Sequence, residues 1–355
     1  TQQLRMVRGG DGYKMDTLPV EFGLGSRGLV DRLVVLWPSG IVQQINSVSA
    51  DTLLIVEESA DTTNFSRVNL AGTVSYYSND NSVAGVVMTM SGNENREVVT
   101  NQEGVYIFDE LENATDITVQ PSKERYTDME AGPVSAYDAA LAARSAIGIE
   151  TLSGISQICA DVDANNTISF LDACWIARGA VGIIDDTSHA LEWHFSPESR
   201  FYSYVSGSES PHNYTAYIMG DVTGDWGGTA GSSKRFGESV GSTTSYYAEC
   251  DTLSVPVQVE SGLSMLGADI WFSFDESVLE LIDIRKTDLT QDFTLVYKKH
   301  DSGRVKVALF STTPVSAGGE IVELCFRVIP AESVETTISF DLFKVNATSF
   351  RREDL

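Results

Sequence analysis

Along most of this chain apolar and polar residues alternate with the two-residue period of β-strands, and in one central stretch the pattern shifts to a helical period. Within residues 1–60, VEFGLG, VDRLVVLWPSG and TLLIVEE are rich in β-branched residues and punctuated by Gly and by Pro38-Ser39-Gly40, which predicts strands joined by turns. A short polar linker over 61–67 leads to a second strand-rich unit, 68–122, with runs at Leu70–Val74, Ala84–Thr89 and Thr100–Phe108. In the last run Val105 and Ile107 alternate with Tyr106 and Phe108, so a strand with both faces covered is expected. From residue 248 the alternation returns. Leu253, Val255, Val257 and Val259 are each separated by one polar residue or Pro, and strand-like runs follow at Met265–Asp275, Val305–Phe310, Gly318–Val328 and Thr337–Leu342.

The central stretch carries two helical segments that align without a gap, Ser135–Gly148 and Ser169–Gly182. Each opens on Ser at the N-cap with Asp three residues on, continues as an Ala-rich apolar helix and stops at Gly. After them LEWHFSPESRFYSYVSG is aromatic-rich and reads as a hairpin packed on the helices as an annex, and Gly228–Thr244 reads as a Gly/Ser-rich tether. The expected organisation is 1–60, 68–122, 123–227, a linker over 228–247, and 248–355: mainly β and multidomain, with β-sandwiches flanking a small helical module.

The chemistry of the second helical segment lies in the residues that precede it. Asp161, Asp163, Asn165, Thr167, Ser169 and Asp172 stand at positions 1, 3, 5, 7, 9 and 12 of a calcium loop. A large hard cation needs six or seven oxygens, and a tight loop aims alternate side chains inward, with Thr167 offering its carbonyl and Ser169 holding a water. Asn166 occupies position 6, where a left-handed backbone is required. An acidic surface turn is the competing reading. In the first segment positions 1, 3 and 5 fall on Thr127, Met129 and Ala131, so Asp138 at position 12 lacks partners. Gly220-Asp221-Val222-Thr223-Gly224-Asp225-Trp226 resembles the opening of another such loop with no acid at its end. Asp221, Thr223 and Asp225 either complete a weak second site with Asp138 or form a plain acidic turn.

Composition narrows the field. A length of 355 residues exceeds one ordinary core. A net charge of −26 argues against nucleic acid or an anionic membrane as partner and suits a calcium-rich extracellular setting. No run is long and apolar enough to span a membrane, and no signal peptide opens the sequence, so a processed or truncated N-terminus is expected. Cys159 with Cys174, and Cys250 with Cys325, form two candidate disulfides, with buried free thiols as the alternative. Sequons at Asn64, Asn113, Asn213 and Asn346, and Asp-Thr-Leu acceptors at Thr17, Thr52 and Thr252, are candidate glycosylation sites; the sequon Asn165 is assigned to the ion. His189, His194, His212 and His300 show no His-x3-His spacing, and no nucleophile or nucleotide fingerprint appears, so no enzyme is expected.

Four resemblances follow from these residues. Phe22-Gly-Leu-Gly25, Val30-Asp31 and Trp37-Pro-Ser-Gly40-Ile-Val-Gln resemble the ASPIC/UnbV domain, with only its latter part present. Thr100-x3-Gly104-x-Tyr106-x-Phe108 resembles the carboxypeptidase regulatory-like, Ig-type sandwich, usually a spacer. The duplicated loop–helix unit over roughly 127–185 resembles a dockerin, the module that plugs extracellular proteins into cohesin receptors. The strands of about 250–345, above all Gly267-Ala268 leading to Phe274-Asp275 and the late Gly-Glu-Ile-x-x-Leu-x-Phe-x-Val strand, resemble a cohesin-type jelly roll, a form shared with carbohydrate-binding sandwiches. The dockerin resemblance implies partner-facing residues Ala136, Tyr137 and Arg144 in the first copy and Phe170, Leu171 and Arg178 in the second. Phe170 and Leu171 filling the interhelical core is the alternative. Together these imply a calcium-stabilised, non-enzymatic extracellular assembly protein, a fibre or surface-layer subunit joined head-to-tail. Its partners would be other copies of itself or cohesin- and dockerin-bearing proteins. The other reading is the targeting region of a larger secreted enzyme or adhesin that binds a scaffold or polysaccharide. A third reading has plug and receptor docked within one chain.

Overall fold

The computed structural model describes residues 3–5, 20–39, 41–58, 68–92, 94–111, 116–127, 132–202, 212–227, 242–248, 252–329, 334–346 and 348–349. The architecture is mainly β, in several sheets, with one helical unit. Strands β1 (Leu29–Leu36) and β2 (Val42–Ser49) pair antiparallel as a two-stranded ribbon that leaves Leu29 and Leu36 exposed.

The next unit is a two-sheet sandwich whose strands come from two separated parts of the chain. From the first part come β3 (Val68–Tyr76), β4 (Val87–Gly92), β5 (Arg96–Val99), β6 (Val105–Leu111) and β7 (Ile117–Ser122). Then three helices intervene: α1 (Ala136–Ala146), α2 (Gly154–Ala160) and α3 (Phe170–Ala180). The chain then returns as β8 (Trp193–Ser196), β9 (Arg200–Tyr202) and β10 (Tyr214–Ile218). The sheets are β6-β3-β10-β8 and β5-β4-β7-β9.

This corrects the expected annex over 186–227. Its strands do not form a hairpin lying on the helices. β10 pairs parallel with β3, β8 pairs with β10, and β9 joins β7 in the opposite sheet. The physical reason is the exposed edge that β3 and β7 would otherwise present. Tyr214, Ala216 and Ile218 also place apolar side chains on the buried face. A parallel pair needs a long crossover, and the helical unit is that crossover. In β6, Tyr106 and Phe108 are buried but Ile107 is half exposed, so the strand is covered on one face, contrary to the two-sided burial expected.

The last unit is a second sandwich. One sheet runs β11 (Ser242–Ala248), β18 (Val334–Val345), β13 (Met265–Phe274), β16 (Arg304–Val315), β15 (Thr294–Lys299), with β19 (Thr348–Ser349) on β18. The other is β12 (Thr252–Val259), β17 (Gly319–Val328), β14 (Leu279–Lys286). The alternation read in Leu253–Val259 holds, with Val255, Val257 and Val259 buried. The linker expected over 228–247 ends earlier than predicted: residues 242–248 pair with β18, as Thr- and Tyr-rich segments do, and 228–241 lie outside the described residues.

β16 is covered on both faces. Val305, Val307 and Leu309 enter the second sandwich's own core, and Ala308 and Phe310 enter the core shared by the helices and the first sandwich. The helical unit is therefore held between two sandwiches, spliced into one and packed on the other.

Candidate functional site

The loop before α3 has the local geometry that its spacing predicts. Asn166 at position 6 takes φ 66° and Ala164 at position 4 takes φ 56°. Asp161 accepts the backbone N–H groups of Asn165 (3.1 Å) and Asn166 (2.8 Å), and Asp172 accepts those of Asp163 (3.3 Å) and Ser169 (2.8 Å). These bonds fold the loop so that carboxylate oxygens of Asp161, Asp163 and Asp172 lie within 4.8 Å of one another. Burial, with the neighbouring charge of Asp172 adding to it, holds the Asp161 carboxyl above its ordinary range. Three converging carboxylates with Asn165 and Thr167 alongside make an all-oxygen donor set, the kind a hard divalent cation takes.

A second half-loop has the same backbone pattern, assembled from residues far apart in sequence. Asp138 and Thr223, at positions 12 and 3, meet as Asp172 and Asp163 do: Thr223 N–H donates to Asp138 Oδ1 at 2.8 Å. Asp225 N–H donates to Asp221 Oδ1 at 3.2 Å, as Asn165 does to Asp161. Gly224 at position 4 takes φ 71°, matching Ala164. Ser135 caps α1 and is bonded back by Asp138, as Ser169 and Asp172 do on α3. Of the two readings of Asp221–Asp225, the geometry brings these residues to Asp138, not to a separate surface turn.

The two loops differ in surroundings. Asp138 and Asp221 are fully buried. Tyr76 Oη donates to Asp221 Oδ2 at 2.5 Å, and the N–H groups of Gly224 and Trp226 also point at its carboxylate. Burial, then the charges of Asp138 and Asp225, raises Asp221 well above the usual carboxylate range. Burial, then Asp225, brings Asp138 up to about 6. The cation that faces this group belongs to the protein: Lys344 of β18 places Nζ 2.9 Å from Asp225 Oδ2. Burial alone would lower Lys344, but the charges of Asp225, Asp269 and Asp138 outweigh it and raise it.

Lys344 sits opposite Asp269 in the sheet, and Asp269 sits opposite Ala308. Together with Gly267 and Phe310 these residues form the face that meets the helices. Asp269 accepts the Ala136 N–H at 3.0 and 3.2 Å, which puts a carboxylate at the positive end of α1. Burial raises Asp269 to about 7 while Lys344 and that N–H oppose the rise. At the far end of the pair, Lys298 Nζ donates to Gly182 O (2.7 Å) and His300 Nε2 lies 2.9 Å from Val181 O, so basic groups meet the carbonyls at the C-cap of α3 and the residue after it. Arg144 Nη1 donates to Thr312 O at 2.8 Å, and the Phe170 and Phe310 rings stand 5.8 Å apart. A Cβ on Gly267 would come within 2.7 Å of the Ala136 carbonyl carbon, so only Gly permits this approach.

Of the six residues expected to face a partner, Ala136, Arg144 and Phe170 touch the second sandwich, and the backbone of Tyr137 lies against Gly267. Leu171 is 54% exposed and so does not fill the interhelical core. Arg178 turns to Trp175 and Asp185 instead.

Cys159 and Cys174 are free thiols, which corrects the candidate disulfide: Cys159 is drawn into the core at the end of α2, while Cys174 stays half-buried on α3. Cys325 is also free, and Cys250 lies outside the described residues. So do Asn64, Asn113 and Thr17. The Asn346 side chain accepts from Leu266 and Gly267 N–H and donates one amide hydrogen to Ser264 O. Asn213 is exposed although its carbonyl accepts from Thr73 N–H; Thr52 and Thr252 are exposed. The histidines are less scattered than their spacing suggested. His189, Glu192 and His194 converge, and the signal that could have found them is His-x2-Glu-x-His.

Residues 1–63 match the family model described as ASPIC and UnbV. A search of curated proteins finds no match. Among solved structures the chain is similar to the sixth cohesin of scaffoldin B from Acetivibrio cellulolyticus, solved in complex with a Cel5 dockerin mutant: 22% identity over 28% of this chain and 82% of that one, TM-score 0.24. A non-cellulosomal cohesin from Archaeoglobus fulgidus is similar at 21% identity, covering 28% of this chain and 73% of its own, TM-score 0.22. A cohesin module of a Clostridium perfringens family 33 glycoside hydrolase is similar at 12% identity, covering 32% and 90%, TM-score 0.25. Nothing about what this chain binds follows from likeness at that level. No helix among the described residues is long and apolar enough to cross a membrane.

Proposed function

We propose that this chain is a non-enzymatic, extracellular assembly protein in which the helical unit is a calcium-organised plug and the second sandwich its matched receptor. The observation that carries this reading is the fit at both ends: Asp269 on the first N–H of α1, and Lys298 and His300 on the carbonyls of Gly182 and Val181 just past α3. A face that places acid at one helix start and base at another helix end is complementary to this helix pair, not merely apolar. Calcium held by Asp161, Asp163, Asn165, Thr167, Ser169 and Asp172 would neutralise the self-repelling loop and fix α3 against that face.

The contact is closed within one chain here. Exchanged between copies across the 228–241 segment, the same plug-and-receptor contact would be heterologous and would propagate as an open filament. Negative-stain microscopy and sedimentation of the full chain with calcium test the proposal. Wild type should form head-to-tail assemblies, and Gly267→Val, which blocks the approach of α1, should abolish them while both sandwiches keep their β circular dichroism. A uniformly monomeric wild-type field would sink the exchange.

A further inference from the structure

Away from the loops, His189, Glu192 and His194 bring together one donor atom each, all within 4.8 Å of one another. The backbone explains why. Glu192 N–H bonds to His189 O at 2.9 Å, closing a turn that stacks the two side chains. Leu191 takes φ 69°, a strained value for a branched residue, and this turns the chain towards β8, so that Glu192 just before the strand and His194 within it lie on one side. The turn is tied down on several sides: His189 N–H bonds to Val162 O, Leu191 N–H to Met219 O, Met219 N–H to Glu192 O, and Tyr126 N–H to Leu191 O.

The side chains are arranged with equal care. Arg125 takes Glu192 Oε1, which leaves Oε2 facing both imidazoles, 2.8 Å from His189 Nδ1 and 3.6 Å from His194 Nε2. All three side chains are one-third to two-fifths exposed, so the convergence is open to solvent on one side. Tetrahedral zinc with bonds near 2.0–2.1 Å needs its donors about 3.3 Å apart. The Glu192–His194 pair already stands close to that spacing, the His189–Glu192 pair opens by about half an ångström when the metal replaces the proton between them, and the two imidazole donors lie within 4.8 Å of each other.

We propose that His189, Glu192 and His194 form a binding site for a transition-series divalent cation of the zinc type, at the joint between the helical unit and the first sandwich. Two imidazoles and one carboxylate select such a cation over calcium, which prefers oxygen donors. The carboxylate is oriented by Arg125 in the manner of outer-shell partners at metal centres. The fourth position is open to water, and none of the three donors is a residue of the calcium loop, although the His189 backbone is anchored to it through Val162.

Titration calorimetry of the calcium-saturated full chain with zinc chloride tests this. Wild type should bind one zinc ion, and His189→Ala and His194→Ala should each weaken binding at least about tenfold, the least expected when a direct ligand is lost. Cobalt(II) should give an intense visible spectrum of low-coordinate type that is lost in the double histidine variant. Zinc binding that is absent, or that the double histidine variant retains at wild-type affinity while melting as wild type does in chelator, would overturn the assignment.

Discussion

The two half-loops at the ends of the helix pair share a backbone and differ in almost everything else. The loop at Asp161–Asp172 is contiguous, exposed over Ala164–Thr167 but with Asp172 fully buried, and its carboxylates face one another. The one built from Asp138 and Asp221–Asp225 is split across the chain, with Asp138 and Asp221 buried, and its more exposed Asp225 is met by Lys344. The difference teaches how a duplicated motif is divided between two tasks. Under the proposed function, one copy would hold an external ion in its all-oxygen donor set, whereas the other joins three parts of the molecule through a fixed ammonium.

The sharpest way to break that contrast is Lys344→Met. Removing one partner of a buried ion pair costs about 3–5 kcal/mol, and the lower end applies here because Asp225 is one-third exposed. Thermal melts should fall by that amount both with and without chelator. Next comes removal of calcium. A ligand at a hundredfold over its Kd contributes about 2.7 kcal/mol, so chelator should lower the melting temperature of wild type. Asp161→Ala with Asp163→Ala should reproduce that loss and then ignore chelator, and an unchanged melt in both would refute calcium as a folding ligand.

A smaller effect concerns pH. The Asp269 carboxyl titrates at about 7 when docked against an ordinary 3.8, so between those values the folded state holds a proton that the unfolded state lacks. Stability from this group is therefore greatest at low pH and declines as pH rises towards about 7. Asp269→Asn should make the melting-temperature profile less steep across that window, with the raised Asp138 and Asp221 supplying the slope that remains. Smallest is the cap comparison: each hydroxyl donates to a fully buried aspartate, so Ser169→Ala should cost about 1 kcal/mol, and Ser135→Ala somewhat more only because Ser135 is itself buried, at 4% exposed, while Ser169 is not.

Much of this was legible in the sequence because it depends on local spacing. Asn166 at a left-handed position and the reciprocal Ser–Asp caps follow from residues a few places apart. So does the alternation of Val255, Val257 and Val259. What was not legible depends on distance along the chain. Nothing local in Tyr214–Ile218 says that it will lie parallel to Val68–Tyr76, and no pattern around Lys344 points to Asp225. Cys159 and Cys174 flank a loop and suggest a bridge, yet which faces of α2 and α3 are buried decides otherwise.

The parallel pairing of β3 with β10 has a mechanical consequence. Tension applied from the start of β3 and the far end of β10 acts along their shared ladder, so its bonds must yield together in shear and not unzip one at a time. The helical insert between those strands lies outside the path of the pull and stays slack until the ladder parts.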